Sequence, residues 1–460
     1  MITYLKLKNF KSFKNVEIDF RDRKGKPKSL ICIYGENGSG KSNLAYAFHF
    51  LKEVSSTRRW VENLNEIMSD MNSIEGENIS IEKIMDILKD KYRNLDDIIA
   101  ESKLIGSVEN MKVEYGLKID GGEGVYSLEL NDKEIIKEEL EFKLNARRTV
   151  YFSIEKDKNK IINIKLNKSI FNGIQYKADL ENEIKKYWGK HSFISIMLYE
   201  IQNKNEEYIE ENINKKFVDI LEFIVEISTK CKMGDTVTRG FVGYESNILA
   251  NITNGEINKK YLEELHVVEE FLNDVFSTLY SDIKNVYYKI EENEKKDLVY
   301  RLMFKKIIAG EIIDIDYNLE STGTLSLLNI LPYLVNCCTG KTVIVDEIDM
   351  GIHDILFQNV MNSLKKCING QFIMTTHNTY IMESVLENEN IYIIYVDPVG
   401  NKEVRCLEDC SDKRIRKTNN MRSRYLKGFY GGTPNADDLD FQFACNDLIK
   451  NIERNSQDEV

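Results

Sequence analysis

Residues 29–42 read SLICIYGENGSGKS, and the reading of the whole chain turns on them. Leu30–Tyr34 is a continuous apolar run, the pattern of a strand buried on both faces. It leads directly into Gly35-Glu-Asn-Gly-Ser-Gly40-Lys41-Ser42, which fits G-x-x-x-x-G-K-[ST]. The next stretch, SNLAYAFHFLKEV, carries apolar residues at helical spacing. A Gly-rich turn between strand and helix lets backbone N–H groups close around phosphate oxygens, and the helix N-terminus adds positive potential. Lys41 is then placed to reach β- and γ-phosphates and Ser42 to hold Mg2+, while Asn37, Gly38, Ser39, Gly40 and Asn43 complete the expected ATP contacts.

Far downstream, TVIVDEID (342–349) delivers Asp346 and Glu347 to the end of a β-branched run, where ligands bind in parallel sheets. Asp346 suits the metal, through water; Glu347 suits polarisation of an attacking water. FIMTTHN (372–378) ends a further apolar strand in two hydroxyls and His377, from which an imidazole can hydrogen-bond a γ-phosphate. Ahead of both stands ESTGT (320–324), before a long apolar run; Ser321 or Thr322 would cap the following helix and point its N-terminus at an anion.

Composition sets the frame. The 460 residues have a net charge of −12, so the chain as a whole repels nucleic acid, and any such contact is secondary and needs a local basic patch. The densest patch is Lys413, Arg414, Arg416, Lys417, Arg422, Arg424 and Lys427, balanced by Asp437, Asp438 and Asp440. Eight cysteines are scattered without a C-x-x-C pair, the usage of reduced thiols rather than of a zinc site. No apolar run has the ~20 residues needed to cross a bilayer, and the N-terminus alternates like a strand, so the expected location is cytoplasmic, with no membrane partner.

Changes of period mark the organisation. Residues 1–56 hold the phosphate loop. Residues 57–109 are helical and polar, and 110–178 alternate as an antiparallel β subdomain with turns near 121 and 157. Residues 179–297 read as a helical insertion offering an oligomer or partner surface. Residues 298–400 return to alternating strand and helix, and 401–460 form a basic segment and tail. About 300 residues separate Lys41 from Asp346, far beyond a normal crossover, so the head is split by its insertion.

GENGSGKS, DEID, TTHN and ESTGT occur in the order found in ABC-type ATPases of the SMC/OLD group, which the chain resembles; LKLKNFKSF, YRLMF and RYLKGFYGGTPN are also similar. Within that group it looks most like stand-alone phage-defence ATPases, the RloA-like and AbiL-like proteins and AriA of PARIS systems. The resemblance implies an α/β fold, an ABC-type P-loop ATPase head, and ATP held between two copies. Lys41, Ser42, Asp346, Glu347 and His377 would act in cis, and Ser321, Thr322 and Gly323, at the signature position, would touch the γ-phosphate held by the other copy. His353 stands where SMC proteins end the loop after DEID with an aspartate. Gln175, deep in the insertion, is the one glutamine before residue 202 and a poor Q-loop match, and Arg58 or Arg59 is either a nucleotide contact or part of a solvated face.

The resulting expectation is a homo-oligomeric ATPase of anti-phage abortive infection. It would sense a phage-derived trigger and control a separate effector, a Toprim-like or other nuclease. Only about sixty residues follow IYIIYVD, short of the ~100 a further domain takes. The alternative is a RecF/SMC-like DNA-maintenance ATPase that binds DNA ends.

Overall fold

The structure is a computed structural model and describes residues 1–73, 93–144, 147–157, 159, 161–233, 237–243, 247–294, 296–409, 421–433 and 440–457. In chain order it begins with β1 (Ile2–Phe10), β2 (Phe13–Asp19), β3 (Leu30–Tyr34) and helix α1 (Lys41–Ser73). A short helix, Leu95–Ser102, precedes β4 (Met111–Ile119), β5 (Gly122–Leu130), β6 (Ile135–Leu144), β7 (Arg147–Lys156) and β8 (Ile162–Leu166). Four helices between Ile174 and Glu226 lead to β9 (Ser228–Met233), β10 (Val237–Phe241) and β11 (Asn254–Ile257). Helix Leu262–Leu279 is followed by β12 (Ile283–Glu292), β13 (Leu298–Ile308) and β14 (Glu311–Asp316). Helix Thr322–Cys338 then opens the last part, with β15 (Thr342–Val345), helix Asp354–Leu364, β16 (Gln371–Thr375), β17 (Ile391–Val396) and β18 (Lys402–Cys406).

Two seven-stranded sheets carry the fold. One runs β2-β1-β4-β5-β6-β7-β8 and is antiparallel throughout; the other runs β10-β9-β15-β16-β3-β17-β18. In the second sheet β9, β15, β16, β3 and β17 are mutually parallel, so their C-terminal ends share one edge. That edge is where ligands bind in α/β sheets. β11, β12, β13 and β14 form a smaller antiparallel sheet.

The continuous apolar runs have a direct cause. Alternate residues of the parallel strands enter two different cores: Ile31, Ile33, Ile344 and Ile373 face one, and Leu30, Cys32, Val343, Val345, Phe372 and Met374 face the other. With both faces covered no position is free to be polar. Helix α1 fills the space between the two large sheets. The Tyr115 hydroxyl of β4 donates to the Ala47 carbonyl at 2.5 Å, and on the opposite side His49 Nδ1 lies 2.8 Å from Thr229 Oγ1 of β9. The helix that carries the phosphate loop is therefore clamped from two directions.

The β4–β5 turn uses Asp120 (φ 46°) and Gly121 (φ 75°), the pair of positive φ angles of a tight hairpin. The antiparallel strands of 110–178 are continuous with β1 and β2 rather than a sheet of their own. The helical expectation for 179–297 needs correction. Past Glu226 the chain forms β9 and β10, which complete the parallel-centred sheet, then β11 and β12. Short strands such as STKCKM offer too few residues for their period to be told from a neighbouring helix.

Candidate nucleotide site

Gly38 and Gly40 adopt φ 78° and 110°, a backbone that side-chain-bearing residues rarely reach. A Cβ on Gly40 would stand 3.0 Å from Ser12 Oγ and 3.3 Å from Lys402 Nζ, so the loop is walled by the β1–β2 turn and by β18. Lys41 starts α1 and is buried; its ammonium donates to the Gly35 and Glu36 carbonyls at 2.8 and 3.0 Å. Burial lowers its pKa, opposed by the charges of Asp346, Glu347, Asp349 and Glu36. Ser39 Oγ is buried and has no hydrogen-bond partner among the described residues. Buried hydroxyls normally find one, so the loop, where Ser39 Oγ packs against Gly35, holds an unspent polar group. Asn43 Nδ2 donates to Ser12 Oγ at 2.8 Å, fixing the loop to the β1–β2 turn. Asn37 is exposed on the loop's outer side.

Across the shared strand edge, Asp346 is held from three elements. Thr375 Oγ1 of β16 donates to its Oδ1 at 2.5 Å, the Lys232 N–H of β9 donates to Oδ2 at 3.3 Å, and the Ser42 hydroxyl of α1 also bonds to it. Burial pushes the Asp346 carboxyl up, and the Thr375 and Ser42 hydroxyls pull against that shift. Ser42 and Asp346 thus present a hydroxyl and a carboxylate side by side, two hard oxygen donors suited to Mg2+. Among the described residues no group of three or more His, Cys, Asp or Glu side chains could hold a metal. An ion at this place would draw its other ligands from water and nucleotide, as Mg2+ usually does.

Glu347 has φ 46°, a strained value for a residue with a side chain. Its N–H donates to the same Thr375 Oγ1 at 2.8 Å. One hydroxyl thus bridges the Asp346 carboxylate and the Glu347 backbone. The Glu347 carboxylate pairs with Lys232 Nζ at 3.1 Å. Thr376 Oγ1 donates to Asp349 Oδ1 at 2.6 Å, and burial raises the Asp349 pKa. His377 lies exposed at the rim; partial desolvation and the charge of Lys41 lower its pKa, against Asp349, Glu347 and Asp346. Lys41 and the three acids are thus close enough to act on His377 electrostatically.

Ser321, Thr322 and Gly323 lie elsewhere. Ser321 is the N-cap of Thr322–Cys338, accepting from the Thr324 N–H at 3.1 Å, and Ser321 and Thr322 are exposed. Among the described residues no hydrogen bond or ion pair links 321–323 to the phosphate loop. A Cβ on Gly323 would come 2.9 Å from the Gly351 carbonyl, so this glycine lets the loop after DEID pack on the helix start. His353 caps Asp354–Leu364, its Nδ1 accepting from the Ile355 N–H at 3.3 Å.

Other candidates are structural. Arg58 is buried, paired with Glu183 at 3.0 Å, its guanidinium 3.8 Å from the Tyr187 ring centroid and 4.6 Å from that of Tyr199. It ties α1 to helices of the insertion rather than lying on a solvated face. Gln175 is exposed and donates to Asp179 at 2.9 Å within Ile174–Tyr187. Arg422 donates to Thr379 Oγ1 at 2.9 Å and stacks on Tyr380, beside His377. Lys413, Arg414, Arg416, Lys417, Asp437 and Asp438 lie outside the described residues. Lys232, Asp349, the bonding roles of Thr375 and Thr376, and Lys402, whose Nζ donates to the Gly38 carbonyl at 3.0 Å, are not among the sequence candidates. The two threonines and Asp349 were visible inside TTHN and DEID; the lysines carried no signal.

A phosphate loop facing a strand-end acid pair and a histidine across one sheet edge defines the P-loop ATPase class. Residues 30–383 match the family described as "AAA domain, putative AbiEii toxin, Type IV TA system". The chain belongs to that family. It is also similar to the retron Ec83 probable ATPase of Escherichia coli, 28% identical over 169 residues, which cover 32% of this chain and 31% of that protein. Among solved structures, an SMC head domain from Thermotoga maritima is 16% identical with a TM-score of 0.37, covering 88% of this chain and 98% of that one. The recombination mediator RecF is 16% identical with a TM-score of 0.34, covering 88% and 98%.

Proposed function

We propose that this chain binds and hydrolyses ATP as a cytoplasmic homo-oligomer and serves as the sensor and switch of a bacterial anti-phage system. In this reading it answers a phage-derived trigger and controls a separate effector, a nuclease. The observation that carries the ATP site is the buried Ser39 Oγ, unpartnered among the described residues, beside a lysine bonded to its own loop's carbonyls, together with the strained Glu347. The defence setting draws support from the family's description and from the retron relative. The net charge of −12 favours it over clamping of DNA ends.

The residues divide the work. Gly38–Lys41 bind the triphosphate, Lys41 moving from the Gly35 and Glu36 carbonyls to phosphate oxygens. Ser42 and Asp346 would hold Mg2+, which when bound would supply positive charge against the phosphates. Glu347 orients and polarises the attacking water, and His377, kept neutral, donates or accepts a hydrogen bond at the terminal phosphate. Ser321 and Thr322 read the nucleotide of a second copy. Their exposure, and the absence of a bond to the phosphate loop of their own chain among the described residues, support that arrangement.

Native mass measurement with and without ATP tests it. The wild-type protein should gain mass as a higher oligomer with ATP, and Thr322→Arg, at an exposed position, should bind ATP but stay in the ATP-free state. Equal oligomers for both proteins would return ESTGT to an ordinary helix cap. Co-expression with the neighbouring gene product identifies the effector: a co-purifying nuclease supports the switch, whereas DNA-stimulated hydrolysis without any partner opposes it.

A further inference from the structure

Glu347 presents a problem of charge. A carboxylate that must orient water beside a terminal phosphate carries the same sign as that phosphate, and Asp346 adds a second negative group next to it. Like charges at close range in a partly buried site repel strongly unless a cation offsets them. Lys41 belongs to the phosphates in this scheme and cannot also serve the acid.

The structure supplies another cation from an unexpected strand. β9 lies beside β15, parallel to it, with Val345 in register with Lys230. The Asp346 N–H donates to the Lys230 carbonyl at 2.8 Å, which continues that ladder to the last residue before Glu347. Two residues on, the Lys232 N–H reaches Asp346 Oδ2 at 3.3 Å and its ammonium reaches Glu347 Oε2 at 3.1 Å. The Lys232 and Glu347 side chains are 26% and 29% exposed, so the pair is only partly screened by water. Backbone and side chain of one residue thus bind both acids.

We propose that Lys232 is a positioning residue for hydrolysis: it is the counter-ion that orients Glu347 and allows this carboxylate and a nucleoside triphosphate to share one site. The proposal rests on the assignment of Glu347 as the hydrolytic carboxylate. Lys232 acts through Glu347, and the cost of its loss falls on ligands that bring a γ-phosphate.

The test compares Lys232→Met, Lys232→Arg, Glu347→Gln and the Lys232→Met/Glu347→Gln double variant, all full-length. Affinities for ATP and ADP are measured by calorimetry in EDTA, and turnover is measured with Mg2+. Lys232→Met should lose about tenfold in ATP affinity with ADP affinity changed less than about twofold, and its kcat should fall by about tenfold or more. Lys232→Arg should recover most of both. Adding Glu347→Gln to Lys232→Met should restore ATP affinity, because the repelling charge is gone. A Lys232→Met protein with wild-type ATP/ADP discrimination and kcat overturns the proposal, as does an ATP defect undiminished in the double variant. If Lys232→Met fails to fold, Lys232→Arg and the double variant decide on the same affinities. Glu347→Gln alone that still turns over ATP defeats the underlying assignment instead, so the two failures are distinguishable.

Discussion

Two charged clusters touch helix α1, and they are built on opposite principles. Toward the far end of its first turns, Glu53 pairs with Arg93 at 2.8 Å and Arg239 at 3.7 Å; Glu101 pairs with Arg93 at 2.7 Å, Arg239 at 2.9 Å and Lys11 at 3.0 Å. The Tyr46 hydroxyl donates to Glu53 as well. Every charge there is satisfied, as buried ions must be. At the N-terminus of the same helix, Ser39 Oγ has no partner among the described residues, Lys41 leans on its own loop, and Glu347 holds a positive φ. The closed cluster locks α1 against β10, the β1–β2 turn and Leu95–Ser102. The open one leaves polar capacity and strain for a ligand. Unspent bonding capacity, rather than charge density, separates the site from the scaffold.

Breaking each cluster should therefore give different readouts. The largest effect is expected from Arg93→Met, which takes from the buried Glu53 its nearest cation and from Glu101 one of three, and should cost about 3–5 kcal/mol of stability, read in urea unfolding. Lys41→Ala should keep that stability within about 0.5 kcal/mol while weakening ATP binding by roughly 3 kcal/mol, about a hundredfold. If Lys41→Ala destabilises as much as Arg93→Met, the contrast between the clusters fails. Thr375→Val removes the hydroxyl that joins Asp346 to the Glu347 N–H and should cost about 1–3 kcal/mol of stability, with a fall in kcat.

The smallest effect is one of pH. Burial pushes the Glu101 carboxyl up, but Arg239 and Lys11 outweigh it and hold the pKa at about 2, against an ordinary 4.5. A lowered carboxylate stabilises the fold above its unfolded pKa, and that contribution fades as pH falls from about 4.5 towards 2. Urea midpoints across that range should drop less steeply in Glu101→Gln than in wild type; parallel curves would remove Glu101 from the closed cluster.

Local chemistry made much of the site readable in advance. GENGSGKS, DEID and TTHN each place functional atoms within a few residues of one another, and the buried strands β3, β15 and β16 show as unbroken apolar runs because both their faces are covered. What stayed hidden depends on pairing between distant segments. β9 is short and half polar, so nothing in STKCKM marks it as the neighbour of TVIV or Lys232 as a partner of Glu347. The pairing of Arg58 with Glu183 is hidden because no local pattern tells which side of α1 meets the insertion. Lys402 reaches the phosphate loop across 364 residues of sequence.

In the proposed function, Lys41, Asp346 and Glu347 of the same chain act together to bind and hydrolyse ATP. Glu347→Gln measures it most directly, with ATP affinity and turnover determined on the same preparation. The variant should bind ATP at least as tightly as wild type, with kcat reduced by about a hundredfold or more. Turnover within twofold of wild type, with ATP still bound, would contradict it.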